Sequence, residues 1–155
     1  KIPKGFLKDS VEVLKLSHNK LSGEIILFEE EHYFYSMLME LLLDNNQFTG
    51  EIEQGFRWLQ NLWLLDISNN RLSGVIPSWI GELPVLFALL LSNNSLEGEI
   101  PISLFNTSTL SLLDLSANRL SGEIPPHVKS SKPLVLLLQD NNLSGVIPDT
   151  LLMNV

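Results

Sequence analysis

Two aspartates, Asp66 and Asp114, hold the same position in two copies of one motif, LLDISNNRLSG and LLDLSANRLSG. Carboxylate pairs hydrolyse glycosides when they flank the scissile bond, and the inverting mechanism needs about 6.5–9.5 Å between them. If each motif copy contributes one strand to a parallel stack, two strand spacings of about 4.8 Å put these aspartates roughly 9.6 Å apart. That is the upper edge of the useful range. Leu90 falls between them in the same column, no cleft is implied, and aspartate here reads as a solvated strand residue. The sequence therefore assigns no catalytic residue.

Other reaction chemistries lack their parts. His18, His32 and His127 occupy unrelated positions in the motif and do not converge, and there is no cysteine to supply a thiolate, a disulfide or a metal ligand. Serine-hydrolase, metalloprotease, phosphate-loop and dinucleotide signatures are missing from the chain. No metal and no cofactor is expected. The 155 residues carry a net charge of -8 with a pI near 4.7. Such a chain repels phosphate backbones, which excludes nucleic acid as a partner. The longest apolar run, Val85 to Leu91, falls far short of the roughly 18 residues that cross a bilayer. Any membrane attachment would come from a segment outside this chain.

The elements that position these residues come from internal repetition. Asn19, Asn46, Asn70, Asn94, Asn118 and Asn141 recur at spacings of 27, 24, 24, 24 and 23 residues. They divide a single domain, 1–155, into a partial repeat (1–10) and six repeats at 11–37, 38–61, 62–85, 86–109, 110–132 and 133–155, the last truncated. In the copy that starts at Leu62, the first, fourth and sixth places are Leu62, Leu65 and Ile67, the ninth is Asn70, and the eleventh, thirteenth and fifteenth are Leu72, Gly74 and Ile76. The alternation around the fourth and sixth places is that of a strand with one buried face. The remaining apolar places turn inward and can be covered only by neighbouring repeats, so the repeats must stack. The asparagine sits where the chain leaves the strand; an amide both donates and accepts, so the six asparagines are expected to form an internal ladder. Glycine permits a positive φ at the next bend. Glu29 to Tyr35 is an insertion that should make the first full repeat the least regular.

Written as LxxLxLxxNxLSGxIP, the repeat resembles the plant-specific subclass of extracellular leucine-rich repeats. Segments such as LDISNNRLSGVIPSWIGELP are similar to the ectodomains of plant receptor-like proteins of the disease-resistance type. The resemblance implies an α/β-type solenoid: a right-handed superhelix with a narrow parallel β-sheet on its concave face and an irregular or short-helical convex side. It implies recognition of a protein or peptide ligand, with a co-receptor possible, by the extracellular part of a plasma-membrane receptor in defence or development. Receptor kinases share the repeat, and so do secreted polygalacturonase-inhibiting proteins of the cell wall. Family ectodomains close their ends with paired cysteines; this chain has none and reads as an internal segment.

In such a solenoid the second, third, fifth, seventh and eighth places leave the sheet on the concave face, with no core duty. Candidate ligand-binding residues there are Lys15, Leu42, Trp63, Asp66, Phe87, Leu90 and Asp114. Trp63 and Phe87, on adjacent strands, should stand about 5 Å apart. Such a pair either anchors an interface or fills the space beside the loop that leads into the strand. Three sequons begin at Asn93, Asn106 and Asn142. Asn106 is placed on the convex side, where a glycan leaves the concave face open. A mass shift on enzymatic deglycosylation of plant-made protein, lost in Asn106→Gln, is the expected signature.

Overall fold

Each repeat opens on its alternating segment, and the computed structural model, which describes residues 11–27, 36–126 and 134–151, shows strands there. In chain order the strands are β1 (Val13–Lys15), β2 (Ser22–Glu24), β3 (Glu40–Leu42), β4 (Gln47–Gly50), β5 (Leu64–Asp66), β6 (Arg71–Leu72), β7 (Ala88–Leu90), β8 (Glu97–Gly98), β9 (Leu112–Asp114), β10 (Arg119–Glu123), β11 (Val135–Leu137) and β12 (Asn142–Ser144). The odd-numbered strands form one six-stranded parallel sheet, in the order β1-β3-β5-β7-β9-β11. Their register is constant, so Leu14, Leu41, Leu65, Leu89, Leu113 and Leu136 make one column. The four inner leucines of that column are fully buried, whereas Leu14 and Leu136, on strands with one described neighbour, are half-buried. Burial here is a property of the stack.

The inward places build a continuous core. Leu62, Leu65, Ile67, Leu72 and Ile76 of the third repeat are all buried, and so are their counterparts in the fourth. Removing such a side chain from water contributes roughly 1.5–3 kcal/mol. On the convex side the chain crosses back through short helical turns, Gln54–Trp58, Ser78–Glu82 and Asp149–Leu151 of 3-10 type and α1 (Ser103–Asn106). They bury Phe56, Ile80, Leu104 and Phe105 against the same core.

The even-numbered strands are a feature that the apolar pattern does not reveal. They form two three-stranded parallel sheets, β2-β4-β6 and β8-β10-β12, linked by a bridge between Val75 and Glu97. Glycine at the thirteenth place has two duties in them. Gly74 has a φ of 77°, and a Cβ there would lie 2.8 Å from the Cγ of Glu51, so the missing side chain is also a seat for the preceding repeat.

The asparagine amides join the repeats. Asn118 Nδ2 donates to the carbonyls of Leu91, Leu115 and Ser116, while its Oδ1 accepts the Leu96 N–H. Two of those partners belong to the preceding repeat. Asn46, Asn70, Asn94 and Asn141 repeat this arrangement, each accepting from the eleventh place of the repeat before it. The residue just before each asparagine is left-handed: His18, Asn45, Asn69, Asn93, Ala117 and Asp140 have φ between 52° and 59°. Asparagine, aspartate and histidine tolerate that region; alanine does so at a cost of about 1–2 kcal/mol. Ala117→Asn is expected to raise stability by about 0.5–1 kcal/mol, read as a higher urea midpoint with an unchanged slope.

Candidate recognition surface

The concave face is built from side chains that the core does not claim. Trp63 and Phe87 precede β5 and β7, and their N–H groups donate to the carbonyls of Met39 and Trp63 respectively, which holds the two residues in lateral register. Their rings stack with centroids 4.9 Å apart and planes 8° from parallel. Both remain open to solvent, at 44% and 38% relative exposure, and Met39 beside them is 43% exposed. Leu42 and Leu90, at the fifth place of the neighbouring repeats, are half-buried and extend the apolar surface along the strands.

Asp66 and Asp114 are not the solvated strand residues that the sequence suggests. Each carboxylate Oδ1 accepts both the backbone N–H and the hydroxyl of the serine two residues on, Ser68 at 3.0 and 2.6 Å and Ser116 at 3.0 and 2.6 Å. The motif D-x-S thus closes the turn after the strand. Burial pushes the Asp66 carboxyl above its usual range, and the nearby charges of Asp44 and Asp114 push the same way, against the lowering effect of the Ser68 hydrogen bonds. Leu90 lies in register between the two aspartates.

Several outward places do carry structural duties. Ser68 and Ser116 at the seventh place are buried by their aspartate partners, Ala88 at the third is 4% exposed, and the whole eighth column is restricted by its left-handed backbone. Freedom to vary is thereby narrowed to the second and fifth places and parts of the third and seventh. In the first repeat, Lys15 pairs with Glu40 at 3.1 Å, and Asp44 holds the Ser17 hydroxyl and lies 3.7 Å from His18. His32, His127 and the insertion from Glu29 to Tyr35 lie outside the described residues. Among the described residues no cluster of metal-ligating side chains occurs. No described helix is long and apolar enough to cross a membrane.

One family model described as Leucine rich repeat matches residues 36–96, and another of the same description matches 86–107 and 109–131. Receptor-like protein 15 of Arabidopsis thaliana is 64% identical over 94% of the chain, which covers 15% of that protein. The solved BIR2 ectodomain from Arabidopsis thaliana superimposes with a TM-score of 0.72 at 32% identity, over 85% of this chain and 68% of that one. This chain belongs to the plant extracellular leucine-rich-repeat family. The Arabidopsis receptor kinase HAESA, solved in complex with the peptide hormone IDA and the co-receptor SERK1, aligns with a TM-score of 0.82 at 41% identity, over 90% of this chain and 23% of that structure. The chain thus spans less than a quarter of the length of either Receptor-like protein 15 or the HAESA structure. As a plant leucine-rich-repeat segment of this kind, it lies on the extracellular side of the cell surface.

The sequons can be placed on the same solenoid. Asn106 ends α1 on the convex side and is exposed. Asn93, at the edge of the concave sheet, donates through Nδ2 to Asn69 Oδ1 at 2.7 Å, and Asn142 is exposed on β12.

Proposed function

We propose that this segment recognises an extracellular peptide or protein ligand on its concave face, by surface complementarity and without catalysis, as part of a receptor-like protein in defence or developmental signalling. The carrying observation is the exposed Trp63–Phe87 stack. Two large rings held rigid and partly open, with Met39 on the next strand, are the surface that anchors an interface, because little side-chain freedom is lost on binding. HAESA binds a peptide hormone with a co-receptor, and the same partner classes suit this chain. The compact apolar anchor at the centre of the face suits a single peptide side chain, and this favours a ligand of this kind over a cell-wall hydrolase. An N-glycan at Asn106 would leave the recognition face open.

The test is selection of a random dodecapeptide display library on the whole chain. Peptides enriched by the native chain should lose at least tenfold in affinity for Trp63→Ala/Phe87→Ala, while the thermal melt shifts by only a few degrees. Equal binding by the variant sinks the proposal, and so does a variant that no longer folds, because the rings would then be structural.

A further inference from the structure

Charge on the recognition face points to the class of ligand. On the third to fifth repeats the second, third, fifth, seventh and eighth places hold Asp66 and Asp114 but no lysine, arginine or histidine. The basic side chains of the face among the described residues, Lys15 and His18, belong to the first repeat and lie against Glu40 and Asp44 of the second. Arg71 and Arg119 follow the ladder asparagines and leave on β6 and β10, in the even-numbered sheets. The two carboxylates therefore stand on alternate strands either side of Leu90, with no cation of their own repeats on the face. Their serine hydrogen bonds all fall on Oδ1; among the described residues no donor reaches Oδ2 of either aspartate.

We infer, on the basis of the peptide-recognition reading above, that the ligand is a basic peptide with an apolar side chain against the Trp63–Phe87 stack and a lysine or arginine over Leu90, between Asp66 and Asp114. Phe87, just before β7, and Leu90, which ends it, are three residues apart, about 10 Å along an extended backbone. Two or three residues of an extended peptide cover that distance. A cation seated there meets a carboxylate on either side at roughly half of a two-strand spacing of about 9.6 Å. Charge-assisted contacts at the edge of an apolar anchor fix register and orientation.

The probes are the peptides recovered from the dodecapeptide library, titrated against the native chain, Asp66→Asn/Asp114→Asn and Trp63→Ala/Phe87→Ala. Asparagine keeps an oxygen for the Ser68 and Ser116 donors, so the aspartate variant should fold and melt near the native temperature. The expected result is enrichment of Lys or Arg two or three residues from an aromatic or aliphatic residue, with affinity falling tenfold or more in the asparagine variant and also with rising salt. Peptides that need the aromatic pair but show no basic residue, or that bind the asparagine variant equally well, overturn this inference and leave ligand recognition standing. Peptides indifferent to the aromatic pair overturn both.

Discussion

Asn118→Ala should lower the stability of the chain by roughly 2–4 kcal/mol, because it orphans one buried backbone N–H and removes a second donor from three carbonyls at once. The side chain is 8% exposed. Its loss leaves the Leu96 N–H without its acceptor at 3.0 Å, and removes one of two donors from the carbonyls of Leu91, Leu115 and Ser116, which keep Asn94 Nδ2, Asn141 Nδ2 and the Asn93 N–H respectively. The unpaired N–H costs about 1–3 kcal/mol, and the lost carbonyl bonds add about 0.5–1.5 kcal/mol or less each because those acceptors stay satisfied. At about 2–4 °C per kcal/mol for a chain of this size, the melting temperature should fall by roughly 10 °C. Asn118→Asp should be no better, since a carboxylate keeps the acceptor, loses both donors and buries a charge. Asn19 supplies the contrast. It is exposed, and its described side-chain bonds, to the carbonyls of Leu16 and Ser17, stay within its own turn, so Asn19→Ala should cost less than about 1 kcal/mol. Equal melting losses at the two positions, followed by circular dichroism, would mean that the amide does not act as a joint between repeats.

Gly81→Ala should destabilise the chain by about 3 kcal/mol or more, for a reason unconnected with backbone dihedrals. A Cβ at this position would stand 2.4 Å from the carbonyl carbon of Ser103, 2.6 Å from its oxygen and 2.7 Å from the Leu104 nitrogen. All three are backbone atoms of the convex segment one repeat further on, so no side chain can swing aside. The Ser78–Glu82 turn would have to retreat from α1, and the buried Ile80 and Leu104 would lose their packing with it. Ser103→Gly should therefore give no rescue in the double variant, which thermal unfolding of the two chains tests directly. A melt within about 2 °C of native would show that the two convex segments separate more easily than close packing allows.

The parts of the molecule that depend on periodicity could be read from the residues. The strand of the concave sheet, the inward leucines and the lateral spacing of Trp63 and Phe87 all follow from one alternation and one repeat length, since parallel strands have a single spacing. What escaped has other causes. The even-numbered sheets run through Ser22–Glu24, Arg71–Leu72 and Glu97–Gly98, where polar residues and glycine give no alternation, and their pairing depends on side chains of one repeat seated over glycine of the next. The left-handed eighth place had a signal in its residue types, because His18, Asn45, Asn69, Asn93 and Asp140 share a tolerance for positive φ, but Ala117 obscures the column. The link from Asp66 to Ser68 and from Asp114 to Ser116 was likewise present as a repeated D-x-S. Gly81 had no signal at all. Its restriction comes from a backbone one repeat further on, outside any local window.

Because every described joint uses the same amide geometry, an added or deleted coil would leave the chemistry between coils intact. Gene duplication can therefore lengthen such a molecule in whole turns at little structural cost. The aromatic pair has no such indifference. A coil inserted between the third and fourth repeats would put a strand between β5 and β7 and draw Trp63 and Phe87 from 4.9 Å to about 9.6 Å, so inheritance of the anchor constrains where new coils can enter.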